Sequence, residues 1–144
     1  MEKIIRTTAL IAATLACTSL LAAPSATAAP AASTGQSACS GTAVAPAFSD
    51  WVRAKGSAGI AGHPGYRQGY DLTLQSNAGV ALAEVKGYDE RNGNKEIWVG
   101  VPAMSPDSPH RLVAIAWGNN LAMPEIRVKP APGQLAGVTV TFRC

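Results

Sequence analysis

Val80-Ala81-Leu82-Ala83-Glu84-Val85-Lys86-Gly87-Tyr88-Asp89-Glu90-Arg91-Asn92-Gly93-Asn94-Lys95-Glu96-Ile97-Trp98-Val99-Gly100-Val101 sets two β-prone runs on either side of a polar turn. Asn and Gly tolerate the positive φ that a tight reversal needs, so the stretch predicts a β-hairpin. Its register follows from side-chain parity. A two-residue turn at Asn92-Gly93 puts Glu84 and Lys86 on the face of Ile97, Val99 and Val101, which mixes charge into the core side. Shifting by one residue joins Ala83, Val85 and Gly87 to Ile97, Val99 and Val101. Glu84, Lys86 and Tyr88 then share the other face with Glu96 and Trp98. The expected turn is therefore of odd length, Asn92-Gly93-Asn94, with a bulge.

The strands around this hairpin are short. Tyr70, Leu72 and Leu74 alternate with Asp71, Thr73 and Gln75, the mark of a half-buried strand. Ser76-Asn77-Ala78-Gly79 reads as a turn that pairs this strand antiparallel with the first arm of the hairpin. Leu112 to Trp117 and Leu121 to Lys129 form two further runs around Gly118-Asn119-Asn120. Pro124 marks the second as an edge strand or a bulge. Val138, Val140, Phe142 and Cys144 share one face of the last strand. Thr42 to Ala45 reads as the first strand. Phe48, Trp51 and Val52 follow at helical spacing, with Ser49 placed to cap a short helix and Gly56 to end it. Gly56, Gly59, Gly62 and Gly65 recur every third residue, too briefly for a triple helix, and read as a flexible loop. Pro102, Pro106 and Pro109 argue against a central strand or helix over 102–110. The sum is an all-β domain of about six or seven strands, a small antiparallel β-sandwich or, as the alternative, a small β-barrel.

The chain of 144 residues divides into three parts. Glu2, Lys3 and Arg6 precede an apolar run from Ala9 to Ala23, and Ala26-Thr27-Ala28 supplies the small residues of a cleavage site. Residues 1–28 thus read as a secretory signal peptide, and the run is short for a membrane span. Cys17 lies within the run, but Thr14 stands where a lipid-modified cysteine has an aliphatic residue three positions upstream, and the apolar run continues past it through Leu20-Leu21. Residues 29–38 are small and polar and read as a disordered leader. Residues 39–144 form the single β-domain, with no insertion into a membrane after cleavage.

Removal of residues 1–28 lowers the basic count from 12 to 10 and the acidic count from 9 to 8. The remaining net charge is small and no Lys/Arg cluster exists, so a nucleic-acid footprint is absent. Cys39 and Cys144 are the cysteines left in the mature chain. In an exported protein they are expected to pair, and the parity of the last strand turns Cys144 to the core. Closing a loop of about a hundred residues stabilises by on the order of 4–5 kcal/mol in the chain-entropy account. No cofactor is called for. Two spaced cysteines and two isolated histidines do not make a metal set. The oxygen-rich run Asp89, Glu90, Asn92, Asn94, Glu96 fails the calcium-loop spacing, because Arg91 takes a ligand position.

Catalytic signals are thin. His63 and His110 are the only imidazoles, both beside proline, and no Gly-x-Ser-x-Gly elbow occurs. A hydrolase would need one of them beside a carboxylate and a hydroxyl. The acidic residues are scattered, which gives no paired-carboxylate site. Trp51 and Trp117 read as core residues. Tyr88 and Trp98, flanked by Lys86 and Glu96, read as an exposed face able to stack on a sugar or anchor a protein. The leading expectation is a secreted, non-catalytic binding module for an extracellular protein, glycan or cell-surface partner. A protease inhibitor is the alternative, offering loop 102–109 with Met104 exposed as its primary residue and Ser105 after the scissile bond. Proline stiffening lowers the entropy lost on docking such a loop.

Overall fold

A computed structural model describes residues 39–75 and 79–144. The expected signal peptide, the leader and the turn residues 76–78 lie outside the described residues. The strands are β1 (Ser40–Ala45), β2 (Val52–Lys55), β3 (Ile60–Ala61), β4 (Arg67–Leu74), β5 (Ala81–Asp89), β6 (Lys95–Met104), β7 (His110–Ala116), β8 (Leu121–Ala122), β9 (Glu125–Pro130) and β10 (Val138–Arg143). Two antiparallel four-stranded sheets form, in the orders β1-β10-β4-β7 (sheet A) and β2-β9-β5-β6 (sheet B), and they do not close into a barrel. The two-residue strands β3 and β8 pair separately. The all-β sandwich expected from the alternation is the fold.

The core lies between the sheets. Ala43, Ala45, Tyr70, Leu72, Leu74, Val138, Val140 and Phe142 face inward from sheet A. Ala81, Ala83, Val85, Val101, Ile126 and Val128 meet them from sheet B. Each is the buried phase of a period-two pattern, which a strand requires when one face is wet. The Tyr70 and Phe142 rings lie 6.2 Å apart. The Tyr70 hydroxyl donates to the Lys86 carbonyl at 2.8 Å and so ties the two sheets together. Its burial pushes that hydroxyl well above the usual tyrosine range. Cys39 and Cys144 are joined as a disulfide, with their Cα atoms 5.2 Å apart. Their backbones also meet, through the Cys144 N–H and the Cys39 carbonyl at 3.0 Å.

The hairpin has the register that parity required. Ala83 faces Val101, Val85 faces Val99, Gly87 faces Ile97, Lys86 faces Trp98 and Tyr88 faces Glu96. The connection between the paired Asp89 and Lys95 is a 3₁₀ turn, Glu90–Asn92, followed by Gly93 and Asn94, both in the left-handed region. The Asp89 carboxylate accepts from the Arg91 N–H at 3.0 Å and caps the turn. The odd length holds, but the turn spans Glu90 to Asn94 rather than Asn92 to Asn94, and the register runs into it without a bulge.

Four local expectations are corrected. Residues 52–55 are a strand, with Val52 and Ala54 half-buried and Arg53 and Lys55 exposed. Phe48 sits at φ 59°, which breaks any helical run from 48 to 52. The strand at 67–74 pairs with β10 and β7 in sheet A and does not pair with β5. Pro102 lies within β6, which tolerates it because β6 is the edge of sheet B and bulges between its pairings at Val101 and Met104. The glycine-rich stretch is an ordered connection. It contains β3, and Gly62 donates its N–H to the Asn120 carbonyl at 2.8 Å. A Cβ on Gly62 would meet Trp117 Cδ1 at 2.7 Å, so the absence of a side chain lets this segment lie against the indole.

Candidate functional site

The outer face of sheet B carries charges and aromatics together. Alternation along β5 and β6 turns Glu84, Lys86, Glu96 and Trp98 outward, while β9 contributes Glu125, Arg127 and Lys129. β2 adds Arg53 and Lys55, and Trp51 precedes it on the same parity. The register fixes who meets whom. Arg127 lies opposite Glu84 on one side and Arg53 on the other.

Arg127 is the centre of this face. Its guanidinium lies 4.7 Å from the Trp98 ring and 5.1 Å from the Trp51 ring, and pairs with the Glu84 carboxylate. Arg53 also lies over Trp98, at 5.1 Å, and Lys129 over Trp51, at 4.7 Å. Cations and indoles therefore alternate across three strands. A cation over a ring face is attracted by the ring quadrupole, by about 0.5–1 kcal/mol at an exposed site. Such stacking also holds long side chains in one geometry.

Beside the stack lies a more buried network. Lys86 Nζ is 3.1 Å from Glu125 Oε1 and 3.3 Å from Glu96 Oε2. Lys86 and Glu125 are 7% and 8% exposed, so the charges are paired where water scarcely reaches. Burial alone lowers the ammonium pKa. The Glu125 hydrogen bond and the charges of Glu125, Tyr88 and Glu96 outweigh it and hold the pKa above the ordinary lysine value.

Of the expected face residues, the structure brings Lys86, Glu96 and Trp98 together. Tyr88 is half-buried, with its ring edge-on to Trp117 at 5.1 Å, and the Lys86 ammonium lies 5.8 Å from it. Trp117 is buried, as its sequence context implied, whereas Trp51 is half-exposed on the outer face rather than in the core. Sequence reasoning placed Glu84 on this face but missed Arg53, Glu125, Arg127 and Lys129 as members of the site. The alternation of β9 already separated Glu125, Arg127 and Lys129 from Ile126 and Val128. What it lacked was the sheet in which β9 lies. Next to Lys129 the face runs into a groove lined by Phe48, Asp50, Pro130 and Pro132. Phe48 is 73% exposed there.

The inhibitor alternative requires an exposed Met104, and Met104 is fully buried. It ends β6 with its side chain in the core. Ser105 and Ser108 exchange backbone hydrogen bonds at 3.3 and 2.9 Å and close a tight turn between β6 and β7. Arg111 braces this turn through the Pro102 and Ser108 carbonyls. Met104 and Ser105 thus belong to a braced hairpin, and the offered side chain of the inhibitor reading is withdrawn into the core.

The histidines lie apart. His110 Nδ1 is 3.0 Å from the Thr73 hydroxyl on the outer face of sheet A, among Asp71, Gln75, Thr141 and Arg143. His63 Nδ1 is 3.1 Å from the Pro64 carbonyl. No hydrogen bond joins either imidazole to a carboxylate among the described residues. Nor do three or more His, Cys, Asp or Glu side chains converge there as a metal site would need. No helix among the described residues is long and apolar enough to cross a membrane. Comparison with protein-family models, with curated proteins and with solved structures finds no match to the chain.

Proposed function

We propose that this chain is a small secreted, non-catalytic β-domain that binds an extracellular protein, glycan or cell-surface partner through the outer face of sheet B. The observation that carries the reading is the Trp98–Arg127–Trp51 stack. Two half-exposed indoles and a guanidinium on a rigid sheet form a preorganised recognition surface. Tryptophan and arginine are also the residue types that dominate binding energy at interfaces. A disulfide linking the first and last described residues is consistent with an oxidising, extracellular setting.

The test is retention of the purified domain on cell walls, on immobilised extracellular glycans and on secreted proteins. Wild type is compared with Trp51→Ala, Trp98→Ala and, as a control, Leu112→Ala. Leu112 is 80% exposed on the other sheet. Retention that falls with both tryptophan variants and survives Leu112→Ala supports the face. Retention indifferent to all three, or no retention on any matrix, overturns it.

A further inference from the structure

We infer that the ligand of this face is an anionic polysaccharide, with carboxylate or sulfate groups on its sugar rings, held along β2 and β9. The inference rests on the binding-face reading above and names its ligand class. Arg53 and Arg127 are direct cross-strand partners on one face, an arrangement that repels in an unliganded sheet. Glu84 neutralises Arg127, and Glu125 and Glu96 are both drawn to Lys86. That leaves Arg53 and Lys129 with no carboxylate at ion-pairing distance among the described residues, while Lys55 lies opposite Glu125 in the register. The outer face of sheet A sets its charges differently: Asp71 and Arg143 are cross-strand partners of opposite sign, among Thr42, Thr73, Thr139 and Thr141. An uncompensated cationic strip calls for an anionic ligand.

The indoles select the kind of anion. Trp51 and Trp98 interleave with the cations, so the surface suits a chain in which each unit offers an apolar ring face and a negative group. An acidic peptide has a simpler mode open to it, addition as a strand at the edge β2 or β6, which uses backbone hydrogen bonds and bypasses the indoles.

Binding is measured by calorimetry with dextran, dextran sulfate, polygalacturonate and polyglutamate. Dextran sulfate and polygalacturonate are expected to bind, and dextran is not. Polyglutamate binds more weakly than either, and only its binding is indifferent to Trp98→Ala. The double variant Arg53→Gln/Lys129→Gln weakens polysaccharide binding by about tenfold, equivalent to about 1.4 kcal/mol. Its urea midpoint, measured alongside, stays near that of wild type, because Arg53 is exposed and Lys129 half-exposed. Raising salt from ~0.1 to ~1 M shortens the screening length from about 10 to about 3 Å and should remove most of the affinity. Equal binding of dextran, or equal and Trp98-dependent binding of polyglutamate, overturns the anionic-polysaccharide inference and leaves the binding face standing. So does capture of a secreted protein through Trp98 by a domain that binds no polysaccharide. Absence of every ligand on every matrix overturns both.

Discussion

The Lys86–Glu125 pair gives the sharpest test of the energetics of this face. Glu125→Gln leaves an ammonium, 7% exposed, without its 3.1 Å partner. Removing one member of a buried ion pair costs about 3–5 kcal/mol. Glu96 remains at 3.3 Å, but its side chain is 46% exposed, and a solvated partner restores about 1 kcal/mol. The expected loss is therefore about 2–4 kcal/mol, read as a lower urea midpoint at unchanged slope. Lys86→Met/Glu125→Leu removes both charges and should lie within about 1 kcal/mol of wild type. The pH dependence has a definite sign. The folded-state pKa of Lys86 lies above its ordinary value of 10.5, so the stabilisation is fully present below that value. It is lost as pH rises through the higher folded-state value, and Glu125→Gln should flatten that alkaline decline. The reasoning is refuted if Glu125→Gln costs under about 0.5 kcal/mol, or if the double variant loses the sum of the two single losses.

Tyr70 should add to the same alkaline decline. Its hydroxyl is raised above the ordinary value of 10.0, so its contribution is complete below that pH and is lost above it, and Tyr70→Phe should make the decline shallower in pH-dependent urea titrations. Cys39→Ser/Cys144→Ser should cost about 2–5 kcal/mol, matched by wild type in reductant and measured by the same titrations. Gly87→Ala should cost about 1–3 kcal/mol, because its Cβ would meet the Ile115 side chain and stand 2.9 Å from the Ala116 carbonyl. Phe48→Gly should raise stability by about 1 kcal/mol, since it relieves a left-handed backbone at φ 59° while removing a side chain that is mostly in water. A lowered thermal midpoint for that variant would show that Phe48 has a packing role.

The fold was legible where parity alone decides. Moving the hairpin register by one residue would have placed Glu84 and Lys86 beside Val99 and Val101, and that conflict is visible without any partner strand. The same parity turned Phe142 and Cys144 towards the core. Legibility ended where two strands with matching apolar faces have two ways to meet. Tyr70, Leu72 and Leu74 and then Ala81, Ala83 and Val85 can bury their faces side by side in one sheet. They can also do so across the sandwich from each other, as they do. The short connection between β4 and β5 suits either geometry, so the sequence did not distinguish a hairpin from a corner. Trp51 failed for a related reason. Its partners Arg127 and Lys129 are distant in the chain, and Phe48, Trp51 and Val52 stand at a helical spacing that the left-handed turn at Phe48 breaks.

The two outer faces of this sandwich answer the same physical demand in different ways. Each must be wet, and each has edge strands to keep soluble. Sheet A meets the demand with threonines, which suit strands, set among Asp71, Gln75, His110 and Arg143; Thr141 accepts from the Gln75 amide and donates to the Thr73 carbonyl. Sheet B meets it with an opposed arginine pair, an ion pair drawn out of water and two tryptophans left half-exposed. Every one of those choices carries a cost that threonine avoids: like-charge repulsion, desolvation, and apolar surface exposed to water. The opposed arginines and half-exposed indoles have no counterpart on sheet A, where Arg143 faces Asp71, and that difference supports placing the proposed binding surface on sheet B whichever ligand it holds.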